Sequence, residues 1–288
     1  MPFPRPTVSR APAALLGTVV LLTGTAAHAG TAFQWLPSSN LYPKYVADPR
    51  RPEFGVALLA FSDPRLADSG DRRVGLKLGG RFGLLRVHPR ERPQDGWQMD
   101  IEAGFTGQFD IEHSLDNVGW DGTYGFLLSS TLGHGLSVQL GTKHISSHVG
   151  DEYAERTGRQ RIGYTREEVA AGAAWSIDGR WRTYAEAGWG FAPKEKIGQE
   201  PGRLQIGLER EAAASLGRGR LGWYAALDLG AWEERDWQID PSLQVGLLVP
   251  SGDRRWRIGL GYHGGSVPLG EFFREDETYL ALGLWLDP

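Results

Sequence analysis

Apolar and polar residues alternate at a period of two along nearly all of the chain beyond residue 52. Val74, Leu76, Leu78, Phe82 and Leu84 fall on one face of an extended segment, with Arg73, Lys77 and Arg81 on the other. Met99, Ile101, Ala103 and Phe105 oppose Gln98, Asp100, Glu102 and Thr106, and Leu204, Ile206 and Leu208 oppose Arg203, Gln205 and Glu209. Trp256, Ile258, Leu260 and Tyr262 stand in the same way against Arg255, Arg257 and His263. Successive side chains of a strand point to opposite faces, so this pattern predicts strands with one apolar and one polar side. Cutting the chain at its Gly, Pro, Asp and Asn clusters places strands near 53–61, 72–87, 97–109, 120–132, 136–147, 164–176, 180–192, 202–212, 219–230, 237–249, 254–263 and 278–286.

The connections between these strands sort into two kinds. Those after even-numbered strands are mostly tight, as in Gly133-His134-Gly135, Ile177-Asp178-Gly179 and Pro250-Ser251-Gly252-Asp253. Those after odd-numbered strands are generally longer, and the longest run from Ser147 to Gly163 and from Gly264 to Glu277. An even strand count with short turns at one end and long loops at the other predicts an all-β fold. The form expected is a transmembrane antiparallel β-barrel of about twelve strands, with short periplasmic turns and longer external loops. A soluble β-sandwich would alternate too, but Trp97, Trp120, Trp175, Trp181, Trp189, Trp237, Trp256 and Trp285 lie near strand ends. Indole rings settle at headgroup depth, which favours the membrane barrel.

The first residues set the expected compartment. Arg5 and Arg10 precede an apolar run from Ala11 to Leu22, followed by Ala27-His28-Ala29 before Gly30, which reads as a cleaved signal peptide over residues 1–29. The apolar run is too short for a spanning helix, which needs about 20 residues. Residues 30–52 lack alternation and carry four prolines, so an irregular periplasmic or lumen-plugging segment is expected ahead of a barrel over 53–288. Outer-membrane lipid and, during biogenesis, the barrel-assembly machinery are the partners such a protein implies. The chain has no cysteine, which excludes a disulfide-stapled scaffold. A net charge of −4 without a basic face gives nothing for nucleic acid to bind. No cofactor motif is present, neither a glycine-rich phosphate loop nor haem or zinc spacing.

The predicted inward faces carry charges of both signs: Arg73, Lys77, Arg81, Asp100, Glu102, Lys143, Arg166, Glu168, Arg182, Glu186, Arg203, Glu209, Asp228, Arg255 and Arg257. Such charges neutralise each other across a narrow lumen. About twelve strands is well short of the 16 to 18 of an open porin, so a largely filled interior is expected. A narrow channel or specific transporter is one function compatible with it.

A second function is read from the outward face. Leu136, Val138 and Leu140 set the lipid-facing parity of one strand, and continuing by twos gives Thr142, His144, Ser146 and His148. His-x-Ser on a strand puts an imidazole and a hydroxyl on the same face, within reach for a base to activate a nucleophile. On the following strand Val169, Ala171, Ala173 and Trp175 look outward, which brings Glu167 to that face as the third member of a triad. The arrangement resembles that of outer-membrane phospholipases and lipid A deacylases, although Ser147-His148 stands where those enzymes usually have an Asn after the serine. The competing reading is a polar rim at the membrane surface, with Ser147, His148, Asp151 and Glu152 on the outside. A metal site built on His148, Asp151 and Glu152 finds no recognised ligand spacing. His113, His134 and His263 are expected as isolated surface or rim residues.

Three stretches carry a family resemblance. They are Tyr45-Val46-Ala47-Asp48-Pro49-Arg50 with Pro52 and Phe54, Lys143 to Tyr153 (KHISSHVGDEY), and Gly270-Glu271-Phe272-Phe273 followed by Leu282-Gly283-Leu284-Trp285. They resemble the bacterial family called domain of unknown function 1207. The resemblance implies an outer-membrane barrel over essentially the whole mature chain and carries no activity with it. The reading that follows is an outer-membrane β-barrel of undefined biochemical role, with an outer-leaflet lipid esterase and a narrow channel as the alternatives.

Overall fold

The computed structural model describes residues 30–216, 221–252 and 254–287, so the expected signal peptide lies outside the described residues. Twelve strands close into one antiparallel barrel: β2 (Phe54–Phe61), β3 (Arg72–Pro89), β4 (Gly96–Asp110), β5 (Asp116–Gly133), β6 (Leu136–Val149), β7 (Thr165–Ile177), β8 (Trp181–Phe191), β9 (Gly202–Leu216), β10 (Leu221–Trp232), β11 (Ile239–Ser251), β12 (Arg254–Ser266) and β13 (Asp276–Asp287). Each pairs with its neighbours in sequence, and β13 closes on β2 from Tyr279↔Phe61 to Leu286↔Phe54. Closure gives every barrel strand a neighbour on both sides, which is how a barrel satisfies its backbone groups away from water. Tight turns gather at one end, and the long connections 62–71 and 150–164 gather at the other.

The outward face is the apolar parity read from the sequence, with Leu204, Ile206, Leu208, Leu260, Leu280 and Leu282 all exposed. Trp97, Trp175, Trp189 and Trp237 are exposed near strand ends, as a girdle requires. Trp285 departs from that expectation. It faces inward and is buried, with the Arg257 guanidinium 5.5 Å from its ring. Its odd-numbered position on β13 shares the inward parity of Glu277 and Ala281, and parity overrides nearness to the chain end.

Residues 31–35 also depart from the irregular segment expected there. They form a short strand, β1 (Thr31–Trp35), paired with Leu85–Pro89 of β3. The cause is a mismatch in length: β3 has 18 residues, but β2 pairs with it only over Arg72–Lys77. β1 supplies partners to an edge that would otherwise stand open, and the Leu36 N–H extends the ladder to the Leu84 carbonyl at 3.1 Å.

From Pro37 the chain turns into the lumen. Tyr42 and Tyr45 share a 2.7 Å hydroxyl–hydroxyl hydrogen bond, and the Tyr45 hydroxyl donates to Glu186 at 2.9 Å. The Tyr45 ring stacks on Tyr184 of β8 at 3.8 Å. Room for these rings comes from Gly172 of β7, where an added Cβ would stand 2.6 Å from the Tyr42 hydroxyl oxygen. The Val46 N–H donates to Glu209 at 2.7 Å, and Arg50 reaches Ser266 of β12 at 3.1 Å. The segment ends at Glu53, whose carboxylate is buried and meets Arg51 (2.7 Å), Lys77 (3.0 Å) and Arg257 (2.5 Å).

The remaining lumen charges pair along and between strands of the wall. Arg73 holds Glu277 through two nitrogens at 2.6 and 2.8 Å. Arg203 joins Glu168 (2.6 Å) and Glu186 (2.5 Å), Arg166 joins Glu168 (2.8 Å), and Arg81 joins Glu102 (3.2 Å). Arg182 pairs with Glu209, and Arg255 with Glu211 and Asp287. Asp228 accepts from Tyr184 (2.5 Å) and Gln205 (2.8 Å), Asp100 accepts from Gln98 (2.5 Å), and Lys143 lines the same cavities as Asp48 and Arg203. Among the described residues, three interior cavities of about 80, 30 and 50 Å³ each have room for a few waters.

The long-loop end is closed as well. A helix, α1 (Asp151–Thr157), turns Tyr153 inward onto an apolar cluster of Leu66, Val118, Val149, Val267, Leu269 and Phe272. Ser147, expected on the external rim, is buried instead. Its hydroxyl donates to Asp121 and accepts the Glu271 N–H at 2.7 Å. Odd-numbered positions on β6 face the interior, so Ser147 shares the parity of Ile145 and Val149. The Glu271 carboxylate then accepts the N–H groups of Ile162 (2.9 Å), Gly163 (2.6 Å) and Tyr164 (3.0 Å), locking one long loop to another. His263 is likewise no surface residue: it is buried between Ser242 (2.8 Å) and the Ser266 carbonyl (2.8 Å).

Three outcomes follow from this packing. Glu53→Gln leaves three cations against a neutral amide and should lower unfolding stability by about 3 kcal/mol, read from urea unfolding in micelles. Replacing residues 38–51 by a Gly-Ser linker should convert a silent barrel into one with stepwise conductance in planar bilayers. Ser147→Val should leave the barrel folded but speed hydrogen exchange at the Glu271 amide roughly tenfold or more, since it removes the acceptor of that buried N–H.

Candidate functional site

Beyond the closed end, chemistry-bearing side chains gather on the outward face of β5, β6 and β7. Register fixes which of them meet. His144 of β6 stands opposite Tyr124 of β5 on one side and Glu167 of β7 on the other. Ser146 stands between Gly122 and Thr165, and His148 opposite Trp120. Positions two apart on a strand lie on one face roughly 7 Å apart, so His144, Ser146 and His148 form a row up the barrel wall.

Two contacts organise the row. The His144 Nδ1 lies 2.5 Å from the Glu167 Oε1, and the ring stacks on Tyr124 at 4.6 Å between centroids. An ionised carboxylate only accepts, so Nδ1 carries the proton that is shared with it. The Ser146 Oγ lies 3.0 Å from the His148 Nε2, and the His148 ring stacks on Trp120 at 4.2 Å, which in turn stacks on Phe105. The imidazole and carboxylate of the first pair are partly open, with 20% and 47% of their side-chain surfaces exposed. Gly122 presents no side chain beside Ser146, and a Cβ there would meet nothing closer than 3.5 Å, so the hydroxyl has open space along the wall.

The structure therefore brings all three members of the expected triad to one face, but it joins them differently. His144 and Glu167 are in contact, whereas the Ser146 hydroxyl is bonded to His148 rather than to His144. A serine on a strand has imidazoles two residues away in both directions here, and its χ1 rotamer selects one. Sequence parity already placed His148 on this face; what it could not supply was the rotamer. Trp120 and Tyr124, the rings that hold the two imidazoles flat, carried no signal of such a role.

The other expected rim groups serve elsewhere. Asp151 pairs with Arg161 in the 150–164 connection, and Glu152 is exposed at the start of α1. With Phe105, Phe109, Asn117 and Trp120 they border an open outward groove of about 320 Å³ beside His148. Among the described residues no three His, Cys, Asp or Glu side chains converge as a metal-holding group. His113 is bonded to Asp110 at 3.0 Å, and His134 sits in the tight β5–β6 turn.

In overall fold the chain is similar to outer membrane phospholipase A from Escherichia coli. The TM-score is 0.55 with 11% sequence identity, covering 82% of this chain and 92% of that one. It is similar to the Salmonella typhi outer membrane phospholipase, whose dimer structure holds calcium, with a TM-score of 0.56, 11% identity and coverage of 82% and 91%. LpxR from Salmonella typhimurium matches with a TM-score of 0.42 at 11% identity, covering 80% of this chain and 98% of that one. At such identities the first two likenesses establish a shared outer-membrane barrel fold and no more. No curated protein matches in sequence. One family model spans residues 11–287, and the chain belongs to that family, described as protein of unknown function DUF1207.

Proposed function

We propose that this barrel is an integral outer-membrane hydrolase that cleaves an ester of outer-leaflet lipid, with Ser146 as nucleophile. The observation that carries the proposal is the row on the outward face of β6. Ser146 is hydrogen-bonded to one imidazole and stands two residues from a second that a carboxylate orients at 2.5 Å. Polar and ionisable groups on the outside of a barrel are costly unless they lie near the interface or have a use. A hydroxyl within hydrogen-bond reach of an imidazole meets the nucleophile–base requirement of acyl transfer, and an acid–imidazole pair stands two residues away on the same face.

Placement supports the same reading. The row lies toward the long-loop end, which becomes the external end if the chain is exported and inserted as its signal-like N-terminus and barrel fold suggest. Lipid in the outer leaflet then meets Ser146 sideways from the bilayer, over Gly122, without entering the lumen. Two proteins that share the fold are named as outer membrane phospholipases, which makes a lipid ester a reasonable substrate class. The channel alternative draws less support, because residues 37–53 and the paired lumen charges fill the interior.

In the proposed reaction the Ser146 Oγ attacks the ester carbonyl, its proton passes to an imidazole, and the acyl group moves to Ser146 as the alcohol leaves. Water then releases the acid. Glu167 orients His144 and balances charge on it. A serine-directed phosphonate, applied to protein refolded in outer-membrane-like lipid, should form an adduct mapping to Ser146. Ser146→Ala should abolish the adduct and ester release while keeping heat-modifiable gel migration, and Glu167→Gln should slow ester turnover roughly a hundredfold. A well-folded protein that is neither labelled nor able to release fatty acid from phospholipid or lipid A would rule the reading out.

A further inference from the structure

Resting on the hydrolase reading, we infer that the two imidazoles flanking Ser146 divide the proton transfers: His148 is the base for the serine, and His144 with Glu167 serves the leaving group and the water. A single-imidazole mechanism would have His144 doing both. The geometry points the other way, because the Ser146 hydroxyl is already 3.0 Å from the His148 Nε2, a nucleophile–base distance. His148 is held in that pose by stacking on Trp120, itself backed by Phe105, so the ring is fixed without any carboxylate. His144 is fixed by different means, through Glu167 at Nδ1 and Tyr124 against its face, which leaves Nε2 as its free nitrogen.

The proposed division gives the two rings opposite first roles, His148 as proton acceptor and His144 as proton donor. Glu167, 2.5 Å from the His144 Nδ1, offsets the positive charge on that ring whenever it carries both protons. His148, whose neighbours are indole and serine, is the ring placed to take the hydroxyl proton on Nε2. The reaction then balances. In acylation, the serine proton passes to the His148 Nε2 as the Oγ–carbon bond forms. The carbon–oxygen bond to the alcohol breaks, and the departing oxygen takes a proton from the His144 Nε2. In deacylation, water attacks the acyl carbon and gives its proton to the now neutral His144. The ester bond to Ser146 breaks, and His148 returns its proton to Oγ. One ester and one water become one acid and one alcohol, and both imidazoles regain their starting states.

The test separates the roles by leaving group. A p-nitrophenyl ester leaves without needing a proton, whereas an alkyl ester of glycerol needs one. In folded protein in lipid, His148→Gln should slow the acylation burst with p-nitrophenyl ester about a hundredfold or more, together with phosphonate labelling of Ser146. His144→Gln should keep that burst and the labelling within a few-fold of the starting protein. Its steady-state turnover should fall about a hundredfold, and hydrolysis of alkyl ester should fall at least as far. Heat-modifiable migration of both variants establishes folding, which is expected because both side chains face outward from the wall. The inference is overturned if His144→Gln abolishes burst and labelling while His148→Gln retains them, an outcome that leaves the hydrolase reading standing. Failure of the unsubstituted protein to label at all removes the hydrolase reading and this inference with it.

Discussion

Burial of charge in the lumen governs this barrel. Closing twelve strands around a narrow interior takes every second side chain away from bulk water, and here many of those side chains are ionised. A buried charge costs several kcal/mol unless it is paired and hydrogen-bonded. Glu53 shows how the requirement is met: one carboxylate, 1% exposed, meets Arg51 on its own segment, Lys77 on β3 and Arg257 on β12. Without the inserted segment the wall cations Lys77 and Arg257 lose that shared partner. The N-terminal segment is thus part of the interior's charge balance and not an appendage, and its tyrosines occupy space that Gly172 leaves free.

The same economy of alternate residues explains how one short stretch serves two purposes. Along Lys143 to Val149 the odd positions face in. Lys143 lines polar cavities, Ile145 packs beneath Phe273, and Ser147 links Asp121 to the Glu271 amide. The even positions His144, Ser146 and His148 face out. Glu271, in the Gly270-Glu271-Phe272-Phe273 stretch, clamps the backbone of residues 162–164 just before β7 begins. β7 carries Glu167, so the closed end of the barrel holds steady the strand that delivers the carboxylate to His144. Two of the stretches that mark the family in sequence, Lys143–Tyr153 and Gly270–Phe273, meet at this corner of the fold.

Period two in the hydrophobic pattern was enough to locate all twelve barrel strands to within a few residues, because a strand whose two faces meet different surroundings must alternate. It also fixed which side chains point inward and which outward on β6 and β7, and so brought His144, Ser146 and Glu167 to one face. Where alternation stopped, the sequence left two paths open, periplasmic or lumen-plugging. The path of residues 37–53 follows contacts with Glu186, Glu209 and Ser266, more than a hundred positions away, and no local period encodes those. β1 exists because β3 outruns β2, a difference in length visible only after pairing.

The sequence by itself determined the architecture, the sign of each face and the set of groups available for chemistry, since all three depend on parity along a strand. Tertiary structure alone decided which of those groups touch. Ser147 became an interior link because Asp121 and Glu271 converge on it, and Ser146 met His148 because its rotamer can reach either neighbour and Trp120 holds that ring in place. Partner choice is a matter of side-chain torsions and cross-strand neighbours. These are set by register and closure across the whole barrel and leave no mark on the spacing of residues along the chain.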